Sequence, residues 1–137
     1  MLEARRLLDL FHGDRVLSIG VIGETVTADA AELPFDRLPS LGGQHRLRAL
    51  ARDELRDRTS TFADIQYEWA LGAMTRAYLF VETGAVHPSP RDLALSRLHH
   101  GYGGGVRLLD DQAHWLRLQL AGSTAGELGF FIQLGAL

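Results

Sequence analysis

Thr61-Phe62-Ala63-Asp64-Ile65-Gln66-Tyr67-Glu68-Trp69-Ala70-Leu71 alternates without a slip. Ala63, Ile65, Tyr67, Trp69 and Leu71 fall on one face, and Phe62, Asp64, Gln66 and Glu68 on the other. Successive side chains of a strand point to opposite faces, so this period predicts a strand with one apolar and one polar side. Outward from it the pattern recurs. Over 113–121, Leu116, Leu118 and Leu120 oppose Trp115, Arg117 and Gln119. Over 76–83, Ala77, Leu79 and Val81 oppose Tyr78, Phe80 and Glu82. The stretch 15–27 turns Leu17, Ile19 and Val21 to the apolar side, and 101–109 sets Tyr102, Val106 and Leu108 against Gly103, Gly105 and Arg107. With an apolar stretch at 126–137 and a weaker one at 3–11, about seven strands are expected. The pattern at 2–11 also fits an amphipathic helix and leaves both readings open.

The connections are expected to alternate in length. Residues 12–14 (His-Gly-Asp), 72–75 and 110–112 read as tight turns, while 28–60 and 84–100 read as long loops holding Pro34, Pro39, Pro88 and Pro90. Only 122–126 is short where a long loop is due. Short turns at one end and long loops at the other are the layout of an outer-membrane barrel. Within the loops, Ser89 and Pro90 form a helix start signal that predicts a short helix at 91–98. The spacing of Leu47, Leu50, Ala51 and Leu55 leaves helical turns open at 44–58.

The stretch 126–137 is nearly free of charge and carries apolar residues up to the terminal carboxylate. Chain ends fray unless pinned, and about ten residues is what a tilted strand needs to cross a bilayer. A membrane-type terminal strand is therefore expected. No uncharged run approaches the roughly eighteen residues of a spanning helix. Glu3, Arg5, Arg6, Asp9 and Asp14 leave no apolar signal core in residues 1–15.

The 137 residues, 15.1 kDa in mass, suffice for one core, and a net charge of −3 gives no electrostatic footprint for nucleic acid. All 14 basic residues are arginine, with no lysine and no asparagine, which reads as base composition rather than chemistry. With no cysteine there is no disulfide framework and no thiolate ligand. His99-His100 is a poor metal pair because adjacent imidazoles point apart. Gly101-Tyr102-Gly103-Gly104-Gly105 lacks the lysine of a phosphate loop and opens a strand rather than a helix. Its glycines read instead as space inside a barrel or as strand curvature. No catalytic constellation, cofactor site or metal site is expected.

Five short motifs remain. Leu41-Gly42-Gly43 precedes Leu47-Arg48-Ala49-Leu50, followed by Tyr67-Glu68-Trp69, Phe80-Val81-Glu82-Thr83-Gly84 and Gly103-Gly104-Gly105-Val106-Arg107. In order and spacing, over roughly residues 15–137, they resemble the barrel of the BamA/TamA-type outer-membrane assembly and translocation superfamily, also called bacterial surface antigen. The chain departs from that family's pattern in having Ala49 and Leu50 after the loop arginine, Glu82 in place of aspartate, and no terminal aromatic.

The resemblance implies an all-β fold: an antiparallel meander forming a curled partial transmembrane barrel, the last seven strands of sixteen. It implies that the loop folds onto the concave face, with Gly42, Gly43 and Arg48 as its motif and Glu68, Glu82 and Arg107 on the wall, where Arg48 meets the acidic groups. The implied work is insertion of outer-membrane proteins or polypeptide translocation in the bacterial outer membrane, without enzyme activity or cofactor. The implied partners are the lipid bilayer, client outer-membrane or secreted polypeptides, and the missing amino-terminal strands and periplasmic domains, so the chain is expected to be a fragment. Two other readings stand beside it: the membrane anchor of a patatin-like lipase, and a small soluble β-barrel holding an apolar ligand.

Overall fold

The computed structural model describes residues 1–27, 34–92, 94–109 and 114–136. In chain order its strands are β1 (Leu2–Asp9), β2 (Arg15–Thr25), β3 (Ser40–Leu41), β4 (Leu55–Arg56), β5 (Thr59–Ala70), β6 (Thr75–His87), β7 (His99–Leu109), β8 (His114–Ser123) and β9 (Leu128–Ala136). Seven of them form one antiparallel meander in the order β1-β2-β5-β6-β7-β8-β9, and β3 pairs with β4 in a separate hairpin. The sheet is open, with β1 and β9 at its edges. The all-β meander of seven strands is therefore present. Residues 2–11 follow the strand alternative, because β1 pairs with β2 along its whole length, from Leu2 opposite Gly23 to Asp9 opposite Val16.

The alternation sorts the sheet into two faces. One, here called the inner face, is covered by the long loop and carries Ser18, Asp64, Gln66, Glu68, Tyr78, Glu82, Arg107, Arg117 and Gln119. The other carries Ile19, Val21, Ile65, Leu79, Val81, Leu120, Phe130, Ile132 and Leu134, all exposed, with Leu134 at 79% and Leu79 at 57%. The apolar core lies on the inner face between sheet and loop. Ile22 and Phe62 pack there against Leu41, Leu47 and Leu50. No helix among the described residues is long and apolar enough to cross a membrane. That leaves open a crossing made by strands.

At one end of the sheet the connections are tight. Asp14 N–H bonds Phe11 O at 2.9 Å, with His12 and Gly13 in the left-handed region, and Leu71 N–H bonds Thr75 O at 2.9 Å. The expected turn at 110–112 lies outside the described residues. At the other end sit the loop between β2 and β5, the loop between β6 and β7, and a short turn where Gly126 N–H bonds Ser123 O at 3.1 Å.

Two expectations are corrected. The second long loop is shorter than 84–100, because β6 runs on to His87. There Ala85, Val86 and His87 find ladder partners in Thr61, Ser60 and Thr59 of β5. The expected helix at 91–98 is instead a pair of 3-10 turns, Pro90–Asp92 and Leu95–Arg97, either side of residue 93, which is outside the described residues. Their bonds, Asp92 N–H to Ser89 O and Arg97 N–H to Ala94 O, each span three residues. So short a segment gains too few bonds to offset helix nucleation.

Candidate functional site

The loop between β2 and β5 is built as a compact plug. Its base is the β3–β4 hairpin, Ser40 opposite Arg56 and Leu41 opposite Leu55. Gly42 and Gly43 follow with φ of +117° and +101° and turn the chain back on itself. Gly42 N–H then bonds Arg46 O at 3.0 Å and Gly43 N–H bonds Leu50 O at 3.1 Å. The helical spacing at 44–58 thus resolves into isolated turns. Leu41, Leu47 and Leu50 are driven onto the inner face by burial, since each removes a large apolar side chain from water.

That docking carries Arg48 inward, 8% exposed. Leu47 sits at φ +51°, a left-handed turn, and the next amide, Arg48 N–H, donates to Glu82 Oε1. The side chain returns to the same carboxylate, with Arg48 Nε 3.4 Å from Glu82 Oε2. Its Nη1 lies 3.5 Å from both Gln66 Oε1 on β5 and Gln119 Oε1 on β8. The guanidinium also stacks 3.9 Å above the Phe80 ring centre. Burial pulls the guanidinium below its usual range while Glu82 beside it works the other way. One arginine therefore ties the loop to three strands of the sheet.

The floor under this arginine depends on the glycines of β7. A Cβ on Gly103 would lie 2.6 Å from the Phe80 ring, and one on Gly105 would lie 2.6 Å from the Tyr78 hydroxyl. Without side chains there, Tyr78 and Phe80 lean across β7, and Tyr78 O–H reaches Gln119 Oε1 at 2.8 Å. Gly103 and Gly105 thus leave space for neighbouring side chains on the inner face, while Gly104 lies on the other face beside Leu79.

Of the expected site residues, Gly42, Gly43, Arg48 and Glu82 come together. Glu68 does not join them. It is held by Arg76 at 3.2 Å and Arg107 at 3.6 Å. The cause is register: Glu82 stands opposite Asp64, and Glu68 lies four residues further along β5, roughly 13 Å away. Arg107 accordingly belongs to a separate cluster. The sequence reading missed Phe80, Gln66 and Gln119 as partners of Arg48. It also missed Asp64, which is 2% exposed and receives Arg5 Nη2 at 3.0 Å. The polar-face alternation held the signal for Asp64 and Gln66, but pairing across strands did not show.

Among the described residues no three His, Cys, Asp or Glu side chains gather as a metal site would require. The arrangement latches a loop; its parts hold and orient, with no nucleophile beside a base. No protein-family model matches the chain, and no match is found among curated proteins.

Proposed function

We propose that this chain is the carboxy-terminal part of an outer-membrane β-barrel of the BamA/TamA type, serving insertion of outer-membrane proteins or passage of polypeptide across that membrane. The observation that carries the reading is the contrast between the two faces of one sheet. Val21, Leu79, Val81, Leu120, Phe130, Ile132 and Leu134 spread an exposed apolar surface over four strands. Soluble monomers rarely leave so broad a patch in water, whereas lipid is a natural solvent for it. A soluble barrel holding an apolar ligand would turn these side chains inward, toward the loop.

The inner face suits an aqueous lumen: polar, ion-paired and holding a latched loop. The open edges at β1 and β9 suit completion by further strands of a longer chain. In such a barrel a seam at β9 would offer backbone N–H and C=O groups to a client strand by β-augmentation. That work needs binding geometry rather than a catalytic group or cofactor, so the chain is proposed not to be an enzyme.

The test is a folding assay. Vesicles carrying the chain are mixed with a urea-denatured outer-membrane β-barrel client, and the folded, protease-resistant client is followed over time. Faster client folding than in empty vesicles, slowed again by Arg48→Ala, is the expected result. Identical rates with and without the chain would contradict the assembly role.

A further inference from the structure

A second charged cluster lies on the inner face, between the Arg48 latch and the tight-turn end. Register places Arg76 opposite Arg107, and Arg107 opposite Arg117, so three arginines form one row across β6, β7 and β8. Like charges directly opposite one another destabilise a sheet. Among the described residues one carboxylate reaches the row, and both its oxygens are engaged: Glu68 Oε1 with Arg76 and Oε2 with Arg107. Arg117 is within salt-bridge reach of none of the described carboxylates. Its Nη1 lies 3.5 Å from Gln133 Oε1, and its guanidinium 5.7 Å and 5.9 Å from the ring centres of Trp115 and Tyr78. Arg107 Nε, Arg117 Nε and Gln119 Nε2 are buried donors without partners among the described residues. Among the described residues the wall here has more donors than acceptors and more positive charge than negative.

We propose that this row is a docking site for an acidic segment of polypeptide, a deepening that rests on the reading of the chain as a polypeptide-handling barrel. A carboxylate supplies the acceptor pair that a guanidinium fork bonds best. Neighbouring strands are about 5 Å apart and alternate side chains of an extended segment about 7 Å apart, so two acidic residues can span the row. The half-buried carboxamide of Gln133 flanks it and can bond peptide groups, and the half-buried Trp115 ring gives flat apolar surface beside it. A free phosphate would engage the guanidinium groups alone. A peptide uses all three kinds of neighbour.

The experiment titrates a fluorescent peptide of alternating glutamate and serine into the full chain in zwitterionic detergent micelles. Controls are the same peptide with glutamine for glutamate, inorganic phosphate as competitor, and Arg91→Gln on an exposed turn. The glutamate peptide should bind, more weakly as salt rises. Arg117→Gln should weaken it about tenfold, Arg117→Lys by less, and Arg91→Gln not at all. Because the lysine variant keeps the charge, it yields an answer even where the glutamine variant loses its fold. Equal binding of the glutamine peptide, unchanged affinity in Arg117→Gln and Arg117→Lys, or complete displacement by millimolar phosphate would each overturn the proposal. Lipid contact at the outer face is read separately and fails separately.

Discussion

The backbone carbonyl of Arg48 occupies the space that a Cβ on Gly129 would need. Loop and last strand therefore touch main chain to main chain. Four residues further along β9, Gln133 Nε2 donates a hydrogen bond to Gln44 Oε1 of the same loop. The latch on Glu82 and the edge strand β9 are thus parts of one mechanical unit, since moving the loop backbone moves what β9 leans on.

Gly129→Val should disrupt that unit. Overpacking of this kind costs about 1–3 kcal/mol, and the strain should show as faster protease cleavage within 44–58. Gly23→Ala, where an added Cβ meets nothing within 4 Å, is the control and should be neutral. Equal cleavage rates in the two variants would refute the brace.

Arg48→Ala removes a charge paired with a carboxylate that is itself only 4% exposed. Breaking a buried pair leaves Glu82 without its counter-charge, and about 3 kcal/mol of loop docking should go. Arg48→Lys should recover only part of this, because an ammonium group lacks the planar fork and stacks less well on Phe80. A double-mutant cycle with Glu82→Gln measures the coupling. Full recovery by lysine would show that charge alone holds the loop.

His45 gives the latch a pH dependence. Burial first, then Arg117, Arg48 and Arg46, hold its imidazole below the ordinary 6.5. The docked loop then binds fewer protons than the free loop, so docking is fully present above pH 6.5 and weakens as pH falls through the lowered value. Protease protection of 44–58 should decline in that window, and His45→Gln should remove this share of the decline. The same pH profile in both proteins would assign it to other groups.

Much of the sheet was legible in single segments. The alternation at 61–71 and 113–121 needed no partner to declare itself, and the faces it assigned to Asp64, Gln66, Arg117 and Gln119 are the faces observed. The end of β6 was hidden, because Gly84-Ala85 ahead of Pro88 reads as loop until the ladder to β5 is known. Glu68 was misjudged for a related reason. Its face follows from parity, but its distance from Arg48 follows from register, which depends on strand pairing and cannot be read from one segment. Phe80 and Gln119 were missed as partners because they meet Arg48 over a neighbouring strand, a reach opened by Gly103 and Gly105.

On the outer face, Leu120 stands in the middle of β8, 58% exposed, with Phe130 opposite it on β9. In a membrane-folding equilibrium, Leu120→Arg should cost roughly 2–4 kcal/mol if it sits near the bilayer midplane. Leu120→Ala should cost far less. Equal effects of the two would argue that this face meets water.

Contact of that outer face with lipid is the central claim, and the chain's lack of cysteine makes it directly measurable. Single cysteines at Leu79, Leu120 and Ile132, and on the inner face at Gln66 and Gln133, are labelled with an environment-sensitive fluorophore in vesicles of brominated lipid. The account predicts strong quenching at the three outer positions and little at the two inner ones. Quenching that is absent from the outer positions, or equal on both faces, would contradict it.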